Sequence, residues 1–112
     1  PQDAVSKTRN ALALARKRGE PGHEAYGLRI LGDISMSLGD TKGAMVAYQG
    51  TKALTDTHGL RPLAALTELR IGRLLDWTGR KVDAQQHIDS AERLAADLGM
   101  TLWEMPTRSA KG

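Results

Sequence analysis

At 112 residues, with a formal net charge of +3 and a pI near 9.5, the chain is long enough for one modest hydrophobic core and is only mildly basic. It contains no cysteine, which excludes a disulfide framework, a thiolate zinc site and a cysteine nucleophile and fits a reducing compartment. Phenylalanine is absent and the aromatics are Tyr26, Tyr48, Trp77 and Trp103, so the core must be aliphatic; the Ala- and Leu-rich set suits close-packed helices better than sheets and makes all-α the expected class.

Residues 1–18 lead to Gly19 and recur along the chain at a spacing of forty. Ala4 falls on Ala44 and Ala84, Leu14 on Leu54 and Leu94, and Gly19 on Gly59 and Gly99. From Gly22 to Leu38 the apolar residues Ala25, Leu28, Leu31, Ile34 and Leu38 step by three and four, which predicts a helix stopped by Gly39. Asp40 or Thr41 then caps a second helix with the inward set Ala44, Ala47 or Tyr48, Thr51 and Leu54, ending before Gly59. The pattern returns with Pro62 at a helix start, followed by Leu63, Leu66, Leu69, Ile71, Leu74 and Leu75 and a stop at Gly79. Val82, Ala84, Ile88, Ala91, Leu94 and Leu98 complete the last helix before Gly99.

Each forty-residue unit is thus an expected pair of antiparallel helices joined by a tight turn, over 22–58 and 62–98. Residues 1–18 read as the second helix of a truncated unit, and 101–105 as the start of a further first helix. The helical region is expected to span 1–105, with 106–112 a disordered polar tail and the whole resembling a segment of a longer protein. Gly32 and Gly72, inside the first helices, read as packing devices on which the second helix settles near Ala44 and Ala84.

The arrangement Leu31, Gly32, Gly39, Ala44, Tyr48 and Leu54, repeated as Ile71, Gly72, Gly79, Ala84, Ile88, Ala91 and Leu94, resembles an extended, forty-residue form of the tetratricopeptide repeat. Ser35 and Thr51 depart from that pattern, and neither unit keeps its proline. The resemblance implies helix pairs stacked in a right-handed α-solenoid that acts by protein–protein interaction. Residues 58–103, through Gly59, Arg61, Pro62, Leu63, Gly72, Thr78, Gly79, Ala84, His87 and Gly99 to Trp103, are also similar to the C-terminal helical repeats of bacterial signalling ATPases. These include proteins attached to class III nucleotide cyclases or LuxR-type regulators. That likeness implies that any catalytic domain belongs to other parts of a parent protein.

Chemistry-bearing patterns are weak. His23-Glu24 opens like a zincin helix, but Gly27 stands where the second ligand is needed. His58 sits at a helix end, where an imidazolium suits the C-terminal carbonyls. His87 and Asp83 are spaced for a metal pair, although a surface helix is the simpler reading. No nucleophile elbow or phosphate loop occurs, and no catalytic, cofactor or metal site is expected. With no apolar run near the roughly 18 residues of a membrane span and no basic-then-apolar leader, a cytoplasmic protein is expected.

On the tetratricopeptide pattern the first helices line a concave face. Its residues would be Tyr26, Arg29, Asp33, Met36 and Ser37 in one unit and Leu66, Leu69, Arg73, Asp76 and Trp77 in the next. Arginine, aspartate, Met36 and Trp77 together suit a polypeptide partner held by charge-assisted hydrogen bonds around an aromatic anchor. The alternative for each is structural: Trp77 and Leu69 packing on the adjoining repeat, Arg29 and Asp33 forming a surface ion pair. The expected function is a non-catalytic protein interaction or self-association module, including a homodimer through exposed repeat ends. The rival is nucleic-acid binding by the N-terminal helix with Lys7, Arg9, Arg16, Lys17 and Arg18, although the cations lack interleaved aromatics.

Overall fold

The computed structural model describes residues 2–102. They form five helices, α1 (Gln2–Arg18), α2 (Pro21–Ser37), α3 (Thr41–His58), α4 (Arg61–Trp77) and α5 (Lys81–Leu98), with no strand among the described residues. Of the further helix expected over 101–105, Thr101 and Leu102 are not helical, and 103–105 and the expected tail 106–112 lie outside the described residues. No described helix is long and apolar enough to cross a membrane.

The helix ends follow from local chemistry. Pro21 and Pro62 begin α2 and α4, where a missing N–H leaves no hydrogen bond unmade. Asp40, and not Thr41, caps α3 by accepting from the Gly43 N–H at 2.9 Å. The C-terminal stops recur every twenty residues. Gly19, Gly39, Gly59, Gly79 and Gly99 all have positive φ, between 65° and 87°. The residue after each donates its N–H back five positions: Glu20 to Ala15, Asp40 to Ser35, Leu60 to Thr55, Arg80 to Leu75 and Met100 to Ala95, all at 2.8–2.9 Å. This is one glycine-dependent capping turn used five times, closing each helix before the chain reverses.

Two or three residues connect successive helices, so neighbours run antiparallel. Contacts along α2 and α3 step in opposite directions, Gly32 on Tyr48, Leu28 on Gly50 and Ala25 on Thr51. The same register joins α4 to α5, with Gly72 on Ala84 and Ile88 and Glu68 on His87. Each helix packs on its sequence neighbours, and α2 also reaches α4. The result measures 43 × 31 × 20 Å.

The central cluster joins Ala44, Tyr48, Ile71, Leu74, Leu75 and Ala84, with Met36 and Met45 against it. α4 is its centrepiece, burying eight residues. Thr51, Thr55 and Thr67 are also buried, their hydroxyls satisfied by the backbone carbonyls of Ala47, Lys52 and Leu63 at 2.7–3.0 Å. At Gly32 the atoms nearest to where a side chain would begin are those of the Tyr48 ring. At Gly72 the neighbours are Ile88 Cγ1 at 2.7 Å and the Ala84 carbonyl at 3.1 Å, so this glycine does meet Ala84.

Candidate functional site

Tyr26, Arg29, Asp33 and Met36 follow one another by three and four along one side of α2, and Leu66, Arg70, Arg73 and Trp77 do the same on α4. The α2–α4 contact brings the two rows together at Asp33. Its Oδ2 accepts from Arg29 Nη1 at 2.7 Å, one helical turn back. Its Oδ1 accepts from Arg70 Nε of α4 at 3.0 Å and from the Tyr48 hydroxyl of α3 at 2.5 Å. A single carboxylate therefore ties three helices together. Arg29 and Arg70 are each 14% exposed and Asp33 is 36% exposed, so these bonds are only partly shielded from solvent.

Arg29 also stacks over the Tyr26 ring, 4.8 Å from its centre, and its Nε is buried without a hydrogen-bond partner among the described residues. Beside Asp33 a cleft of about 250 Å³ is lined by Asp33, Met36, Tyr48, Arg70 and Arg73. Arg70 and Arg73 line the cleft beside Asp33, and Arg29 reaches the same carboxylate from within α2. Burial, together with donation to Asp33 and the nearby negative charge, pushes the Tyr48 phenol well above the ordinary tyrosine range, so it remains a hydrogen-bond donor.

The remaining expected site residues separate. Leu69 is 0% exposed and belongs to the core, because α4 is covered on more sides than a single helix pair would provide; it is withdrawn from the surface row. Arg70, one position further, takes its place. The sequence signal for it was the 70, 73, 77 spacing, which shares a face with Leu66. Asp76 bonds to Lys81 of α5 at 2.7 Å, so its side chain serves the α4–α5 turn. Trp77 is 77% exposed at the end of α4, and Tyr26 is 52% exposed. Arg29 and Asp33 do form the expected i, i+4 ion pair, though within a larger partly buried network.

His87 and Asp83, weighed as a metal pair, engage different partners: His87 Nδ1 lies 2.7 Å from Glu68 Oε1 and Asp83 pairs with Arg80. Among the described residues no group of three or more histidine and carboxylate side chains is placed to hold a metal ion. Arg16 of the basic N-terminal cluster is bonded to Glu24 at 2.8 Å, which ties α1 to α2. Against this geometry, no protein-family model, no curated protein and no solved structure matches the chain.

Proposed function

We propose that the chain is a non-catalytic helical-repeat module of the tetratricopeptide type, an α-solenoid segment that binds a polypeptide along the α2 and α4 rows. The observation that carries this reading is the Asp33 cluster, where Arg29 and Arg70 hold one carboxylate beside a cleft that Arg73 also lines, with two exposed aromatics on the same helices. Such a surface combines fixed donors with amphipathic anchors, the combination that protein interfaces concentrate at their centres. The Arg73 guanidinium, which lines the cleft, suits a ligand segment bearing a carboxylate. The five capping turns at twenty-residue intervals support the repeat reading. The cytoplasmic setting and a place in a bacterial regulator belong to the same proposal and rest on the sequence resemblance.

The test is selection from a displayed random-peptide library, followed by titration of an enriched peptide. Acidic peptides should be enriched. Their affinity should fall about tenfold or more for Arg73→Glu and for Trp77→Ala, with circular dichroism unchanged. Enrichment of nothing above background, or binding indifferent to both substitutions, would remove the proposal.

A further inference from the structure

The forty-residue spacing repeats a groove as well as the helices. One groove, of about 490 Å³, opens between α1 and α3 with α2 as its floor. The other, of about 630 Å³, opens between α3 and α5 with α4 as its floor. Position for position, Val5 matches Met45, Arg9 matches Gln49, Leu28 matches Glu68, Leu31 matches Ile71 and Val46 matches Gln86. The second groove stays open although α2 packs on the far side of α3, so the helix preceding its first wall does not cover a groove of this kind. Their chemistry differs. Around the second, His87 lies 2.7 Å from Glu68, Arg80 pairs with Asp83 and Lys52 pairs with Asp56, so the charges are satisfied within the chain and the rim is polar. The rim of the first is apolar, with Leu38 60% and Val46 71% exposed. Arg9 on one wall and the exposed Lys42, one turn before Val46 on the other, have no ion-pair partner among the described residues. Asp40 at the end of the groove directs its carboxylate to the Gly43 N–H. One frame thus carries a rim suited to water and a rim suited to an apolar partner.

We propose that the first groove docks an acidic amphipathic helix of another protein, its apolar stripe against Leu31, Leu38 and Val46 and its carboxylates beside Arg9 and Lys42. Charge selects the occupant. Two unpaired cations on opposite walls favour carboxylates on both flanks of the stripe and disfavour a basic helix, which argues against α1 of a second copy, with its Lys7, Arg9, Arg16, Lys17 and Arg18. Shape selects a helix over a strand. α1 and α3, alternate members of an antiparallel series, run in the same direction and offer side-chain ridges on both sides of a channel. An extended segment would find no sheet edge to pair with among the described residues. The floor from Leu28 to Leu38 runs about 15 Å along α2, nearly three turns of a docked helix, which presents apolar side chains at i, i+4 and i+7. The groove shares no residue with the α2 and α4 rows, so the inference does not depend on those rows binding a ligand.

The test is selection from a displayed library of helix-forming peptides of about 15 residues, randomised among Leu, Ala, Glu, Lys and Gln. The bait is the full chain carrying Arg73→Glu and Trp77→Ala, which takes the α2 and α4 rows out of the assay. Enriched sequences should set leucines at i, i+4 and i+7 with glutamates on both flanks. The affinity of an enriched peptide should fall about tenfold or more for Val46→Asp and for Arg9→Glu, both at exposed residues, with circular dichroism unchanged. Gln86→Asp, the matching change in the second groove, should leave the affinity as it was. Enrichment of nothing above background, enrichment of basic sequences, or binding that withstands Val46→Asp overturns the proposal. So does a concentration-dependent doubling of the 12.1 kDa mass that Val46→Asp abolishes, because the occupant is then a second copy.

Discussion

Tyr48 joins packing to charge in one side chain: its ring fills the space left by Gly32 and its hydroxyl donates to Asp33. In the unfolded chain a phenol ionises at about pH 10, whereas in the fold burial and the Asp33 carboxylate hold the proton on to higher pH. The unfolded state therefore releases this proton first. The contribution is fully present below about pH 10 and is lost as pH rises towards the folded value. Urea unfolding at a series of alkaline pH values should show stability falling more steeply in the original chain than in Tyr48→Phe; equal slopes would assign the loss to other groups. Leu69 and Trp77 make the complementary comparison at two large apolar residues of α4. Leu69→Ala opens a cavity in a fully covered site and should cost about 2–5 kcal/mol, whereas Trp77→Ala removes an exposed ring and should shift stability by no more than about 0.5 kcal/mol. Urea midpoints of the two variants check both values, and a large loss at Trp77 would place it in the folded core.

Among the helices, glycine has three distinct roles, and the same substitution separates them. Gly22 lies in the first turn of α2 with open space around it, so Gly22→Ala should stabilise by about 0.4–1 kcal/mol. Gly79 has φ of 87° and equally open surroundings, so Gly79→Ala meets only backbone strain and should cost about 1 kcal/mol. At Gly72 a Cβ would lie 2.7 Å from Ile88 Cγ1 and 3.1 Å from a backbone carbonyl, so Gly72→Ala must move α5 and should cost about 1–3 kcal/mol. Thermal melts of the three variants should fall in that order, with Gly22→Ala above the original chain. The helix punctuation was legible in the sequence because a left-handed turn and a capping aspartate depend on the residues at that point of the chain alone. That the Tyr48 ring lies directly over Gly32 was not, since Ala44 and Tyr48 lie one turn apart on the same face and only the seated hairpin shows which reaches it first. Leu69 was placed on the surface row, and Arg70 left off it, for a similar reason. A periodic row finds a face relative to one neighbour, and α4 has three.

Across the whole molecule, contacts run mainly between sequence neighbours, as in a linear array whose stability is a sum of local and nearest-neighbour terms. Among the described residues α4 touches α2, α3 and α5, while α1 touches α2 alone and buries only Leu12 and Ala15 of its apolar side chains. Opening α1 therefore sacrifices one interface, and opening α4 dismantles the central cluster. Native-state hydrogen exchange should resolve this as a gradient, with α4 amides exchanging only through global unfolding and α1 amides through a cheaper local opening. Low concentrations of denaturant should accelerate α4 exchange with a steep dependence and leave α1 exchange nearly flat, because a local opening exposes little new surface. Equal protection in α1 and α4 would mean that the Arg16–Glu24 bond and the Leu12 contact with Gly27 couple the first helix to the rest more tightly than its buried area implies. Arg16→Ala would then release α1 selectively, which distinguishes a charged link between helices from a single cooperative core.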